Sequence, residues 1–384
     1  MDLKPVNLYV KHIGDSGIQH FGLGNIFHKI FSTDEISSKY YYPIFYKITR
    51  AVDLPVIPQS VIIDIKNNSC LILVVHPKEG YAWDAYDSFI EELCSLYSLS
   101  YNNFVVLNCN PVPSNKHKSV FCNFWEFSSF GNNVIKEQNL GRRNIFKDSY
   151  RPYKFISLNR ICHPHRWATV TALYTYKDQG LLSFANKDYP GYTPHNRSFI
   201  TFNDEYAFYS KKFNDLNLPE DFKLTLPLNY EDPENKDLPN AIIIDLYPDK
   251  FYHSYLHIVS ETFVSHPFFS EKTYKPIKYF QPFVMINGQY SLQYFRDMGY
   301  QTFSKYINES YDHEPDNERR IELAIQASLD FMNREDLHEV MKEMYPIFEH
   351  NHNVFIERCR NFQDRLHSDI SKILYAQDND ANQN

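Results

Sequence analysis

Short apolar runs recur along the chain, and polar loops and amphipathic stretches separate them. In the first half, five apolar runs predict strands at residues 6–13, 61–64, 70–75, 104–107 and 119–127. Residues 25–31 and 85–97 predict helices. Strands that alternate with helices are typical of a sheet with helices packed on its faces. We therefore predict an α/β domain in the first half.

The second half shows the same alternation. Strands are predicted at residues 153–158, 241–244, 256–259 and 282–286, and helices at residues 166–179 and 291–298. Another helix is predicted to start at Ser270, because serine is a favoured N-cap residue. C-terminal helices are predicted at residues 318–332, 335–344 and 353–374. This order predicts a second, parallel sheet, and such sheets bind ligands at the carboxyl ends of their strands.

A polar and basic segment at residues 131–150 separates the two halves, and we place a domain boundary there. The predicted organisation is a first domain at residues 1–150 and a second domain at residues 151–350. A C-terminal helix follows at residues 351–375. The last residues, 376–384, are polar and predict a disordered tail.

The composition leads us to expect a globular protein of the cytoplasm. Of the 384 residues, 43% are hydrophobic and 22% are charged, and the formal net charge is -8. An acidic chain is unlike general nucleic-acid-binding proteins, which usually carry a basic stripe. The six cysteines form no CxxC pair, which favours reduced thiols. No apolar run approaches the roughly 20 residues that span a bilayer, so we expect no membrane span.

One candidate site lies where a predicted strand is followed by a helix start. Glu261 comes directly after the strand, and Ser270-Glu271-Lys272-Thr273 opens the helix. Helix capping is the commoner explanation, since Ser270 suits the N-cap and a carboxylate suits the positive end of the helix dipole. The alternative is a nucleotide site. There, Glu271 would accept hydrogen bonds from ribose hydroxyls and Lys272 would contact a phosphate beside the free N–H groups of the helix end.

A second candidate site is the polar loop at residues 159–166, which follows the strand predicted at residues 153–158. The loop contains one asparagine, two histidines and two arginines: Asn159, His163, His165, Arg160 and Arg166. Arginine forms bidentate hydrogen bonds with phosphate, so the loop predicts a diphosphate clamp, and a solvated basic loop is the alternative. The two histidines lack a third ligand at a recognisable spacing, so we predict no metal site.

A third candidate site is the glycine-rich loop after the first predicted strand, residues 14–24. Asp15 or His20 could serve there as a general base, since glycines let the backbone approach a ligand closely. An ordinary glycine turn, with Asp15 bonded to its own backbone, explains the loop equally well. The loop carries neither the GxGxxG nor the GxxxxGK[ST] pattern of phosphate-binding loops.

Together these segments resemble nucleotide-sugar glycosyltransferases of the two-domain GT-B type. Residues 270–277, SEKTYKPI, are similar to the TEKLWKN helix start of α1,3-fucosyltransferases, and residues 255–263 are similar to their FxLxFENS strand. Residues 159–166 resemble the start of the family's donor domain. The chain departs from the family where Glu261-Thr262 replaces Glu-Asn and where Thr273-Tyr274 replaces Leu-Trp. The resemblance covers residues 150–315 and extends to viral and bacterial glycosyltransferase-like proteins.

The resemblance implies an α/β fold of two Rossmann-like domains with a helical C-terminus, and in many such enzymes the last helix crosses back to the first domain. The first domain would bind the acceptor, and the second would bind a UDP- or GDP-linked sugar. The implied donor-binding residues are Asn159, Arg160, Arg166, Glu261, Glu271, Lys272 and Thr273. Asp15 or His20 would deprotonate the acceptor hydroxyl in an inverting transfer, with Glu261 near the sugar or ribose. Because cationic side chains and a helix end would stabilise the leaving diphosphate, no obligatory metal or other cofactor is expected.

Three functional hypotheses stay open at this point. The first is sugar transfer to a glycan hydroxyl in the cytoplasm, which would be the host-cell cytoplasm for a viral protein. The second is glycosylation of a modified DNA base by the same fold, which the acidic net charge opposes. The third is a module that binds a sugar nucleotide or glycan without turnover.

Overall fold

The structure is a computed structural model that describes residues 6–7, 31–32, 39–46, 54–76, 82–128, 149–159, 163–184 and 251–380. The chain divides into two compact units, Met1–Phe127 with Arg358–Asn384, and Ser128–Glu357. Each unit contains a four-stranded parallel sheet. The prediction of an α/β protein with two parallel sheets and a helical C-terminal part is confirmed. Most of the segment that holds the predicted domain boundary lies outside the described residues.

The first unit contains a short strand pair and a larger sheet. Strands β1 (Val6–Asn7) and β2 (Phe31–Ser32) form the parallel pair. The larger sheet contains, in this spatial order, β3 (Tyr40–Phe45), β4 (Cys70–His76), β5 (Phe104–Asn108) and β6 (Lys118–Phe121). Every residue of the two central strands, β4 and β5, is buried. Strands buried on both faces are almost uniformly apolar, which is why the sequence predicts these two correctly.

The strand predicted at residues 61–64 is wrong, because these residues belong to helix α1 (Gln59–Lys66). Val61, Ile62 and Ile65 are buried, whereas Ile63 is 51% exposed. Buried positions three and four residues apart lie on one face of a helix, and a run of three apolar residues does not distinguish this spacing from a strand.

Two other predictions in the first unit need correction, and one is confirmed. Helix α2 (Trp83–Tyr97) confirms the helix predicted at residues 85–97. The strand predicted at residues 119–127 ends at Phe121, and a short helix, α3 (Phe124–Ser128), follows it. The Asn123 side chain caps this helix, because it accepts a hydrogen bond from the Glu126 amide. The helix predicted at residues 25–31 is wrong at Phe31, which lies in β2, and its other residues lie outside the described ranges.

The second unit is built on the sheet order β10-β9-β7-β8. Its strands are β7 (Tyr153–Asn159), β8 (Gly180–Phe184), β9 (Ser254–Ser260) and β10 (Phe283–Ile286). Helix α4 (Pro164–Tyr174) follows β7, α5 (Glu271–Lys278) follows β9, and α6 (Ser291–Asp297) follows β10. The predicted strands 153–158, 256–259 and 282–286 are confirmed, and residues 241–244 lie outside the described ranges. The helix predicted at residues 166–179 ends earlier, at Tyr174, and a 3-10 turn follows.

The strand order places two helix starts at one edge of this sheet. β7 pairs with β8 on one side and with β9 on the other. The connection from β7 to β8 therefore runs to one side of β7, and the connection from β9 to β10 runs away from β7 on the other side. The carboxyl ends of β7 and β9 are therefore neighbours, and α4 and α5 both begin at that edge. A reversal of strand order of this kind opens a crevice between the two connections, and α/β proteins bind ligands there.

Four helices follow within the described residues from Asn317 onward. They are α7 (Asn317–Met332), α8 (Leu337–Glu343), α9 (Tyr345–Arg360) and α10 (Phe362–Asp380). The helix predicted at residues 353–374 is confirmed as helical except for a break at Asn361, which separates α9 from α10 and whose carbonyl accepts a hydrogen bond from the Arg365 amide. The disordered tail predicted at residues 376–384 is wrong for residues 376–380, because α10 continues to Asp380. Among the described residues, no helix is both long and apolar enough to cross a bilayer.

A buried ion pair connects α3 with the C-terminal helices inside the first unit. Glu126 is 1% exposed, and its carboxylate accepts hydrogen bonds from both Nε and a terminal nitrogen of Arg358. Arg365 lies 3.8 Å from the same carboxylate. A buried carboxylate is stable only when such partners replace the water that it has lost.

We predict that Glu126→Gln lowers the free energy of unfolding by about 3 kcal/mol, because it leaves a partly buried guanidinium without its counter-ion. Urea unfolding measures the change. Glu339→Gln is the control, since Glu339 pairs with Lys342 at the surface and its loss should cost less than about 1 kcal/mol. Equal urea midpoints for the two variants would contradict the role given to Glu126.

Candidate functional site

Glu261 lies at the centre of the candidate site, directly after the last residue of β9. Its amide donates to the carbonyl of Ile286 at the end of β10, at 3.1 Å, which continues the parallel ladder by one residue. The residue is fully buried. Strand geometry therefore fixes a carboxylate at the carboxyl edge of the sheet, next to the reversal of strand order.

The first turn of α5 surrounds this carboxylate with hydrogen-bond donors. Ser270, the N-cap residue, donates to Glu261 from its amide at 3.0 Å and from its hydroxyl at 2.6 Å. The hydroxyl of Thr273 donates to the same carboxylate at 2.6 Å. The capping explanation of this segment is thus correct, and the residue that receives the donors lies nine positions upstream of the cap. Three donors in place of water compensate for the burial of the carboxylate.

Lys272 and Glu271 lie at the same helix start and reach the surface. The Lys272 ammonium group lies 3.1 Å from the Glu271 carboxylate and 3.0 Å from the Ser270 hydroxyl. The side chains of Lys272 and Glu271 are 21% and 19% exposed. Although burial opposes ionisation, the positive charges of Lys272 and Lys275 lower the pKa of Glu271 to about 2. The helix start therefore presents an ammonium and an ionised carboxylate side by side.

Helix α4 contributes the other half of the site. Pro164 occupies its first turn, where the missing N–H is no loss. The Glu261 carbonyl accepts hydrogen bonds from Nε2 of His165 at 2.7 Å and from the Arg166 guanidinium at 3.2 Å. Burial, together with the neighbouring charge of Arg166, lowers the pKa of His165 to about 3, so its imidazole is neutral at physiological pH. The charge of this helix start therefore comes from Arg166.

Two buried polar residues complete the strand ends beneath the helix starts. Asn159, the last residue of β7, donates from its amide group to the Ser157 hydroxyl at 3.1 Å. Ser260, the last residue of β9, is also buried, and its hydroxyl has no hydrogen-bond partner among the described residues. Buried polar groups in proteins are nearly always satisfied by the protein, by water or by a ligand. The hydroxyl of Ser260 could therefore form a hydrogen bond with water or with a ligand at this edge.

The loop that joins β9 to α5 is held in place by residues after β10. The Asn287 side chain both accepts from the Phe268 amide, at 3.1 Å, and donates to the Phe268 carbonyl, at 2.6 Å. Arg320 of α7 is buried and donates to the carbonyls of Val264 and Asn287. Gly288 touches the loop backbone so closely that an added Cβ would lie 2.0 Å from the carbonyl carbon of His266. These contacts fix the loop in one position relative to the sheet.

The structure brings together most of the predicted donor-binding residues, but only two of them have exposed side chains. Asn159, Arg166, Glu261 and Thr273 are between 0% and 2% exposed. Glu271 and Lys272 are the pair that reaches solvent, and of the four buried residues Arg166 and Thr273 both donate to Glu261. The carboxylate of Glu261 faces Ser270 and Thr273, so a direct contact with sugar or ribose is not what it makes in this structure.

Arg160 and both candidate catalytic residues, Asp15 and His20, lie outside the described residues. Their predicted roles stay predictions. Within the described part of the chain, no three histidine, cysteine, aspartate or glutamate side chains form a group that could hold a metal ion.

Two supporting residues could not be identified from the sequence. Arg320 lies 59 positions after Glu261 in an ordinary amphipathic helix, and nothing in its local sequence distinguishes it from the exposed Arg319. Asn287 stands next to Gly288 after a strand, which is typical of any turn. The role of Asn287 and Gly288 is visible only in the structure, where the ten-residue loop between β9 and α5 packs against them.

The comparisons with known proteins add no relative. No family model, curated protein or solved structure matches this chain. The resemblance to glycosyltransferases therefore depends on the sequence motifs alone.

We predict that Gly288→Ala lowers the free energy of unfolding by about 2 kcal/mol, because the new methyl group would overlap the backbone of His266 and force the loop away. Urea unfolding measures the cost. Hydrogen exchange should show faster exchange of the Phe268 amide, which the shifted loop would carry away from Asn287. Gly299→Ala is the control for steric overlap, since its added Cβ would meet only Val354, at an ordinary contact distance of 3.6 Å. The φ of +96° at Gly299 adds a cost of backbone strain to this control. Unchanged exchange at Phe268 in the Gly288 variant would show that the loop does not depend on this contact.

Proposed function

We propose that this chain is a glycosyltransferase that uses a nucleotide-diphosphate sugar, UDP- or GDP-linked, as its donor. The two parallel sheets are proposed to be the Rossmann-like domains of a GT-B enzyme, with the donor at the carboxyl edge of the second unit's sheet. The observation that supports this most is the meeting of two helix starts, α4 and α5, on Glu261 at the reversal of strand order.

Positive charge at this edge suits a diphosphate leaving group. When the bond from the sugar to the diphosphate breaks, negative charge develops on the departing oxygen, and cations fixed in advance stabilise it. Lys272 offers an ammonium group that is partly exposed, and Arg166 supplies a second cation just beneath the surface. Amide groups at both helix starts add positive dipole ends. A buried cation acts strongly here because few water molecules screen it.

Glu271 is proposed to bind the ribose of the donor. Its carboxylate is ionised, partly exposed and 3.1 Å from the Lys272 ammonium. An ionised carboxylate accepts hydrogen bonds from a pair of hydroxyl groups and repels a second anion. A nucleotide that places its phosphate near Lys272 and its ribose near Glu271 would satisfy both side chains.

The acceptor side of the reaction is proposed by the same resemblance. The first unit would bind an acceptor hydroxyl on a glycan or on a modified DNA base. Asp15 or His20 would take the proton of that hydroxyl as it attacks the sugar carbon from the side opposite the departing diphosphate, which inverts the configuration.

A thermal-shift panel of UDP-, GDP-, CMP- and dTDP-sugars tests the donor class. A ligand that binds only the folded state raises the melting temperature, and at 100 times its Kd it adds about 2.7 kcal/mol. We expect UDP- or GDP-sugars to do so. No shift with any of the four would overturn the proposal, and binding without sugar transfer or donor hydrolysis would favour a binding module instead.

We predict that Lys272→Ala weakens the binding of UDP or GDP about tenfold or more, because it removes the exposed cation of the site. Isothermal titration calorimetry measures the affinity. Lys278→Ala is the matched control, since it removes a lysine from the last turn of the same helix and should leave affinity unchanged. Equal affinities for the two variants would remove the start of α5 from consideration as the diphosphate site.

Glu271→Gln should change the affinities of two ligands in opposite directions. Inorganic pyrophosphate should bind several-fold more tightly, because the variant removes a negative charge 3.1 Å from Lys272. The nucleoside diphosphate should bind more weakly, because its ribose loses an ionised acceptor. Glu322→Gln controls for the change of net charge, since Glu322 lies at the surface beside Arg319. A loss of both affinities in the Glu271 variant would contradict the ribose role.

A further inference from the structure

Glu261 connects four elements of the second unit through different atoms. Its amide bonds to Ile286 after β10, and it extends β9 itself. Its carbonyl accepts from His165 and Arg166 of α4. Its carboxylate accepts from Ser270 and Thr273 at the start of α5.

The two cations of the site both lie against this one residue. The Arg166 guanidinium is 3.2 Å from the Glu261 carbonyl, and the Lys272 ammonium is 3.9 Å from the Glu261 carboxylate. They belong to different helices, so no local helix geometry fixes their spacing. Both charges are therefore held close to the same residue.

We propose that Glu261 is a positioning residue, which sets the distance between the Arg166 and Lys272 charges and thereby makes the site prefer two linked phosphates over one. This inference rests on the proposed function, because it concerns the diphosphate of the same donor. Glu261 itself is fully buried and touches no ligand. A single phosphate would lie beside Lys272 alone, whereas the second phosphate of a diphosphate would also be stabilised by the charge of Arg166, which acts from beneath the surface. The buried Ser260 hydroxyl, next in sequence, offers a further donor at this edge.

The preference depends on rigidity. If the carboxylate no longer holds Ser270 and Thr273, the start of α5 can move relative to α4. Lys272 would still attract an anion, but the second cation would no longer lie at a fixed distance. A loss of fixed geometry lowers the affinity of a ligand that needs both contacts more than that of a ligand that needs one.

The test compares diphosphate and monophosphate nucleotides in the full-length protein. Calorimetry would give the Kd of UDP, UMP, GDP and GMP for the wild type and for Glu261→Gln. We expect the wild type to bind the better diphosphate at least tenfold more tightly than its monophosphate. In Glu261→Gln, this ratio should fall to about threefold or less. The reason is that the amide nitrogen of glutamine cannot accept the hydrogen bonds that one carboxylate oxygen of Glu261 accepts. Glu309→Gln is the control, because Glu309 is another largely buried glutamate of the second unit, bonded to Thr302 and Phe303, and it should keep the wild-type ratio.

A milder variant keeps the test decisive if Glu261→Gln does not fold. Thr273→Val keeps the shape of a fully buried side chain and removes one hydrogen bond to Glu261, so it should lower the diphosphate-to-monophosphate ratio about threefold. A lower melting temperature with an unchanged ratio would show that Glu261 has a structural role only, and would overturn the inference. Wild-type protein that binds no nucleotide would instead overturn the proposed function.

Discussion

The second unit depends on the burial of one carboxylate. A fully buried glutamate costs several kcal/mol unless hydrogen-bond donors replace its water, so Glu261 requires the Ser270 and Thr273 donors where they are. This requirement decides where α5 begins. It also decides that the loop of ten residues between β9 and α5 must return to the carboxyl end of β9. The carbonyl of the same residue is tied to α4, so both helix starts are fixed relative to the sheet.

A rigid edge is suited to the proposed chemistry. Stabilisation of a departing diphosphate is effective when the cations already occupy their positions before the bond breaks, because no reorganisation is then needed. Asn287, Gly288 and Arg320 hold the loop after β9 from the other side. The exposed pair of Glu271 and Lys272 thus lies on a support that several elements restrain. The first unit uses the same principle for stability, where buried Glu126 holds Arg358.

The sequence predicted strands and long helices better than short elements. β4 and β5 are apolar over four or more residues because both of their faces are buried, and α2 shows a long helical period. Residues 61–64 mislead, since a short apolar run is equally compatible with a strand and with the buried side of a helix such as α1. Asn361 also escaped prediction, because an asparagine that ends one helix and begins the next looks locally like a tolerated surface residue.

The sequence alone determined the chemistry of the helix start at Ser270, the polar loop after β7 and the position of both at strand ends, because capping residues and apolar runs act over a few neighbouring positions. Only the tertiary structure decided that these two segments meet. Arg166 and Glu261 are 95 residues apart, and their contact follows from the pairing of β7 with β9, which no local pattern specifies. The tertiary structure also assigned Glu261 to the interior and left Glu271 at the surface. Two acidic residues of the same chemistry differ here because hydrogen-bond donors from the start of the next helix satisfy Glu261, whereas Glu271 is partly exposed and pairs with its neighbour Lys272.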